Sequence, residues 1–339
     1  MLAITRIAAA LFGVLATSQL LAQQLVLTMQ DEPDGRAAVV TAIGLSPDGS
    51  RIVAGGDDHC LRVWDSDTGE LVSTLRGHDD WVHAARFLPE NQIASAASDH
   101  TLKLWEPAGQ LESSASFTAG GPLSAIAISP DGQRIATTGF GDEVRVFRTE
   151  EDHPPTLYDA PSEDTRAVAF SPDGRWLAAA GRNGVVRLWD LVSSGGPRDL
   201  SGDGRRVRAL AFSPSGDMLA AGGDGPAVRF WRLGGEDRLR DTPEEILTRP
   251  GKTHSLTFVD DRLLAVGGTS DTIRLWDVEL GSPRGELEGH TGTVTAMAVS
   301  EDGGTLVSGA FDATVRLWDL NEQDGRRTAS RVDSDSTAR

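Results

Sequence analysis

Two sets of residues in this chain carry the side chains of nucleophilic catalysis at nearly the same spacing. His78, Ser95 and Asp99 form the first; His290, Ser308 and Asp312 form the second. Serine, imidazole and carboxylate together can run acyl transfer, with histidine as base and aspartate orienting it. That chemistry needs the serine raised on a strained turn, and no G-x-S-x-G stretch surrounds either one. Both serines stand mid-strand, in "QIASAAS" and "TLVSGAF". A set written twice in one chain points to architecture before catalysis.

Other chemistries find less. The single Cys60 excludes an internal disulfide framework and any multi-cysteine zinc site. No two histidines show ligand spacing on one strand. The acidic pairs Asp57-Asp58 and Asp260-Asp261 read as turn formers rather than calcium ligands. No glycine-rich phosphate loop with its lysine is present, and "GGDG" at 222–225 falls between strands rather than at a helix start. The reading is of a non-enzyme with no cofactor and no metal.

The elements that position these residues repeat. Trp64-Asp65, Trp105-Glu106, Phe147-Arg148, Trp189-Asp190, Trp231-Arg232, Trp276-Asp277 and Trp318-Asp319 follow one another at steps of 41, 42, 42, 42, 45 and 42 residues. A turn phrase keeps pace, as "SPDG" at Ser46, Ser129 and Ser171, "SPSG" at Ser213 and "SEDG" at Ser300, drifting to "LPEN" at Leu88 and "VDDR" at Val259. Proline fixes φ at the first central position, and glycine takes the left-handed one. Between the turns run short alternating strands such as "VTAMAVS", "TLVSGA" and "TVRLWD". Units of this length and content predict radially repeated four-stranded blades.

On these landmarks the chain resembles the WD-repeat β-propeller family from about residue 25 to residue 320. The expected fold is all-β, a seven-bladed β-propeller of four-stranded antiparallel blades. Six outer strands follow the first six aromatic positions, among them "LVSTL" at 71–75 and "RGELE" at 284–288. The seventh is missing after Trp318 and is supplied by "QLVLTM" at 24–29, so the N-terminal strand pairs with the last blade and closes the ring.

The resemblance also assigns the two catalytic-looking sets. It implies hydrogen-bonded tetrads in which Trp105 bonds Ser95, Ser95 meets His78, and Asp99 fixes His78; Trp318, Ser308, His290 and Asp312 repeat the arrangement. A buried indole needs a partner for its N–H, and a hydroxyl supplies one. Ala54, Ala179, Ala221 and Val266 replace the serine elsewhere, although Asp58 and Thr137 remain, and those blades are expected to rely on apolar packing alone. A basic residue two places before each aromatic (Arg62, Lys103, Arg145, Arg187, Arg229, Arg274, Arg316) recurs on every blade and therefore reads as scaffold.

Specificity must lie in what differs between copies. In this family the loops entering the first strand and joining the second to the third share a face that often binds partners. There, blades four to six collect Arg166, Arg182, Arg206, Arg208 and Lys252, while Trp81, Phe140 and Phe311 stand on other blades. Arginine and aromatic residues anchor protein interfaces. The expectation is a cationic sector for an acidic partner segment with apolar anchors opposite. The alternative is that these arginines pair with local Asp164, Glu163, Asp203 and Asp224 as a solvated surface.

Composition agrees with many strands and tight turns, with 38 glycines in 339 residues. A net charge of −18 argues against nucleic acid as a partner. Residues 1–22 carry one basic residue, Arg6, then an apolar run from Ile7 to Leu15 and small residues to Ala22, which reads as a secretory signal peptide. The division is thus leader 1–22, propeller 23–320 and a disordered polar tail 321–339. Export to the periplasm or beyond follows, with no membrane span after cleavage; the alternative is an uncleaved membrane anchor. The functional expectation is an exported, non-catalytic, monomeric scaffold for protein–protein interaction, against a small-ligand-binding or hydrolytic propeller that uses its central channel.

Overall fold

The structure, a computed structural model, describes residues 25–29, 37–106, 115–149, 153–193, 195–233, 243–247 and 251–321. The leader 1–22 and, beyond Asn321, the tail lie outside the described residues. Seven antiparallel sheets of four strands form the blades. Blade one runs Val40–Leu45, Arg51–Gly56, Cys60–Asp65 and Leu71–Arg76, from the inner strand outward. Blade seven has Val294–Val299, Thr305–Ala310 and Thr314–Asp319 from the C-terminal side, and its outer strand is Leu25–Thr28. Leu25 pairs with Leu317 and Thr28 with Thr314, so the ring closes as the sequence predicts.

The turns form for the reasons their residues suggest. In the first, the Gly49 amide donates to Ser46 O at 2.8 Å while the Ser46 hydroxyl reaches Asp48 at 2.6 Å. Hydrogen bonds from Ser46 and then Ser50 hold the Asp48 carboxyl down at about 2. In "LPEN" no glycine is present, and Glu90 and Asn91 themselves adopt positive φ, 67° and 63°.

The recurring aromatic is explained by where it packs. Trp105 clusters with Leu61 and Val63 of blade one, Trp189 with Val144 and Val146 of blade three, and Trp318 with Ile273 and Leu275 of blade six. Trp64 meets Val307 and Val315 of blade seven across the closure. Each aromatic fills the wedge between its own blade and the preceding one, at roughly 1.5–3 kcal/mol per buried large side chain. On the inner side the blades approach so closely that a Cβ on Gly309 would lie 2.3 Å from Val40 Cγ1.

Candidate interaction face and axial cavity

One backbone device places the variable residues side by side. In blades two to seven the amide at the end of the second strand donates to the carbonyl just before the inner strand: Ser98 to Trp81, Phe140 to Pro122, Arg182 to Asp164, Asp224 to Arg206, Thr269 to Lys252 and Phe311 to Thr293, at 2.9–3.0 Å. In blade one the Asp57 carboxylate takes that part, accepting from Val39 N at 2.9 Å. Glycine precedes several of these amides because the strands nearly touch. A Cβ on Gly181 would lie 2.1 Å from Asp164 O, and one on Gly223 would lie 2.0 Å from Arg206 O. The scaffold therefore presents residues flanking each contact on a single face.

The cationic sector assembles there, organised by two carboxylates. Asp164, itself buried, accepts Arg206 Nη2 from the next blade at 2.9 Å. Arg166 of its own blade lies against Oδ1 as a charge contact rather than a directed hydrogen bond. Asp224 repeats the pattern: Arg208 of its own blade at 2.7 Å and Lys252 of the next at 3.9 Å. Burial alone would raise the Asp224 carboxyl, but the Arg208 hydrogen bond and the Lys252 and Arg206 charges outweigh it and hold it low. Arg182 stands exposed, its amide tied to Asp164 O and Ser162 Oγ. Four cations thus share two carboxylates, as the solvated-surface alternative anticipates, yet the sector keeps more positive than negative charge among these residues.

The aromatics stand on the same face, 43% exposed at Trp81 and 49% at both Phe140 and Phe311. Phe140 is not opposite the arginines. The Arg166 guanidinium sits over its ring, 4.4 Å from the centroid, so one apolar anchor is joined to the cationic sector.

This face opens on an axial cavity of about 360 Å³. Its rim carries Thr41, His83, Ser124, Arg166, Arg208, His254 and Thr295, one from each inner strand. Thr295 Oγ1 donates to Val40 O at 2.6 Å, Thr41 Oγ1 to Val82 O at 2.5 Å and Arg166 Nη1 to Ser124 Oγ at 3.2 Å, a belt between neighbouring blades. Burial first, then the Arg166 charge, pushes the His83 imidazole down. Burial and Arg208 push His254 down to about 4. Sequence reasoning missed Arg86, deeper in the same cavity. At its register position the other inner strands carry Gly44, Ala127, Ala169, Ala211, Thr257 and Ala298. Comparing that column across the repeats would have exposed the one large cation among small residues.

Both tetrads are present. Trp105 Nε1 donates to Ser95 Oγ at 2.7 Å, Ser95 Oγ meets His78 Nε2 at 2.7 Å, and His78 Nδ1 meets Asp99 at 2.7 Å. Trp318, Ser308, His290 and Asp312 repeat this at 2.8–2.9 Å. Both serines are fully buried. Burial pushes His78 and His290 down, against the opposing carboxylates. In blades five and six, where the serine is lost, the buried Trp231 and Trp276 N–H groups have no acceptor among the described residues.

Packing alone does not describe every incomplete blade. In blade one Asp58 accepts the buried Arg62 at 2.6 Å, and in blade five Asp203 and Glu245 accept Arg229 at 2.7 and 2.9 Å. These basic residues serve the scaffold because an arginine at that place reaches its own blade's turn or outer strand. Among the described residues no group of three His, Cys, Asp or Glu side chains could hold a metal ion, and no helix is long and apolar enough to cross a membrane.

Comparison with known proteins agrees with this architecture. A family model described as the IFT122 first beta-propeller matches residues 39–279, and one described as WD domain, G-beta repeat matches residues 281–319. Pre-mRNA-processing factor 19 of Oryza sativa subsp. japonica is 41% identical over 86 residues, 25% of this chain and 16% of that protein. Protein transport protein sec13 of Aspergillus fumigatus is 32% identical over 111 residues, 29% of this chain and 36% of the relative. The ribosome biogenesis protein WDR12 homolog of Chlamydomonas reinhardtii is 31% identical over 128 residues, 33% of this chain and 28% of the relative. The chain spans well under half the length of each of these relatives.

Proposed function

The chain belongs to the WD-repeat β-propeller family, and on that premise we propose that it is a non-catalytic scaffold binding a protein partner through the face around the axial cavity. One observation carries the reading. On a chain of net charge −18, Arg166, Arg206, Arg208 and Lys252 are pinned on one face by two bridging carboxylates, with Phe140 beneath Arg166. Pre-organised arginine beside a half-exposed aromatic suits an acidic segment carrying an apolar residue. The tetrads support a scaffold rather than a hydrolase, because each serine is buried and already engaged by tryptophan and histidine. Closure of the ring within one chain supports a monomer.

We further propose export, with residues 1–22 as the leader, to the periplasm or outside the cell. N-terminal sequencing of the mature protein tests this; a retained Met1 on the exported chain refutes it. The binding face is tested by affinity capture from the host's envelope fraction. The variant bait carries Arg182→Glu with Arg206→Gln and Arg208→Gln, since glutamate at 206 would face Asp164 and disturb the fold. A partner held by the wild type and lost by the folded variant supports the face; identical recovery by both rejects it.

A further inference from the structure

We propose that the axial cavity is a binding site for a small oxyanion, a phosphate or carboxylate group held by Arg86. Arg86 lines the cavity, yet its only hydrogen bonds among the described residues go from Nη1 to the carbonyls of Ile43 at 2.5 Å and Ala85 at 2.9 Å. Among the described residues no aspartate or glutamate lines the cavity, although acidic residues outnumber basic ones by 50 to 32 in the chain. Arg86 is half-buried, and a guanidinium partly withdrawn from water without a counter-charge is only partly offset by two carbonyls. Burial accordingly pushes Arg86 below the usual arginine range.

The geometry around Arg86 leaves room for the missing charge. Nη1 is spent on the two carbonyls, and Nε with Nη2 forms the edge that takes an oxyanion bidentately. No other blade places a residue larger than threonine at the register position of Arg86. Gly44 makes room directly beside it: a Cβ there would lie 3.2 Å from Arg86 Cα and 2.9 Å from Ala85 O. The rim stands three residues up the strand, about 10 Å away. Arg166 and Arg208 there, already tied to Asp164 and Asp224, draw an anion toward the mouth, while Arg86 has no carboxylate to give up. The seven-fold basic ring recurs because it is scaffold; Arg86 occurs once, and its tie to Ile43 O of blade one occupies only Nη1.

The full chain is titrated with inorganic phosphate and, separately, with succinate, against sodium chloride at matched ionic strength. Calorimetry and melting temperature are read. One of the two anions is expected to bind and raise the melting temperature in a concentration-dependent way; the stronger one identifies a phosphoryl or a carboxylate ligand. Arg86→Gln is expected to weaken that binding by at least about tenfold, the loss of a charge-assisted contact. Arg86→Lys, which keeps a charge but loses the bidentate edge, is expected to weaken anion binding while keeping the fold, and serves if Arg86→Gln does not fold. No response to either anion beyond the chloride control overturns the proposal. So does wild-type affinity in a folded Arg86→Gln or Arg86→Lys chain.

Discussion

The ring closure makes a sharp prediction, because the closing strand is only four residues long and its two faces differ. Leu27 is 5% exposed and Val26 is 41% exposed. Leu27 and the fully buried Met29 pack with Val40, Ile43, Ile52, Trp64, Val307 and Val315, so they join the first blade to the last. Leu27→Ala should therefore cost about 2–5 kcal/mol, the usual range for a large-to-small change in a packed core. Val26→Ala, one position away, should stay within about 0.5 kcal/mol. Deleting the chain through Met29 removes both buried side chains, roughly 3–6 kcal/mol by burial alone. It also bares the edge of Thr314–Asp319. Against a typical total of about 5–15 kcal/mol, that is enough to open the ring at moderate temperature. Urea titration followed by tryptophan fluorescence reads all three variants. Equal midpoints for Leu27→Ala and Val26→Ala would refute the register, because a shift by one residue exchanges the two faces. An unchanged midpoint after the deletion would refute the closure itself.

Further outcomes follow from particular contacts. Ser308→Ala leaves the buried Trp318 N–H and His290 Nε2 without their shared partner, so it should lose about 2–5 kcal/mol in the same titration. Ala221→Ser offers Trp231 the acceptor it lacks and should gain about 0.5–1.5 kcal/mol; a loss would show that the pocket cannot admit a hydroxyl. Burial depresses His78 and His290 below the ordinary 6.5. The unfolded chain therefore takes up more protons as pH falls, so stability is full above about 6.5 and declines below it. Melting temperature should drop between pH 7 and pH 5, and less steeply in a His78→Gln, His290→Gln double variant. Gly223→Ala would force a Cβ to within 2.0 Å of Arg206 O, so it should lower the melting temperature and weaken partner capture together.

Much of this molecule was legible because a repeated architecture writes its rules several times. Seven aromatic positions and five glycine-bearing turns in phase fixed the blade count, and the absence of a seventh outer strand in the sequence after Trp318 located the closing strand at the other end. The same repetition revealed which blades keep the serine. What it hid was pairing across blade boundaries. That Arg206 belongs to Asp164, 42 residues earlier, and that Lys252 leans on Asp224 are consequences of adjacency around the ring, which spacing along one blade does not express. Phe140 was assigned to the side away from the arginines for the same reason: it ends a strand of blade three, but the belt hands Arg166 of blade four across to it.

Arg86 shows how such a column should be weighed. A residue type present on every blade, like the basic residue two places before each aromatic, is constrained by the fold and carries little information about a ligand. A residue unlike its counterparts has no such constraint, and the only question is whether its side chain is satisfied where it stands. Arg62 and Arg229 are paired with carboxylates of their own blades. Arg86 meets only backbone carbonyls, through Nη1, and faces a cavity that no acid lines among the described residues. The rim arginines fall between these cases, exposed enough to bind yet held by Asp164 and Asp224. A partner engaging them must compete with those carboxylates for the same hydrogens, so its affinity should fall with added salt more than its apolar contacts at Trp81 and Phe311 do. If capture of the partner survives high salt unchanged, the aromatics carry the interface and the arginines only frame it.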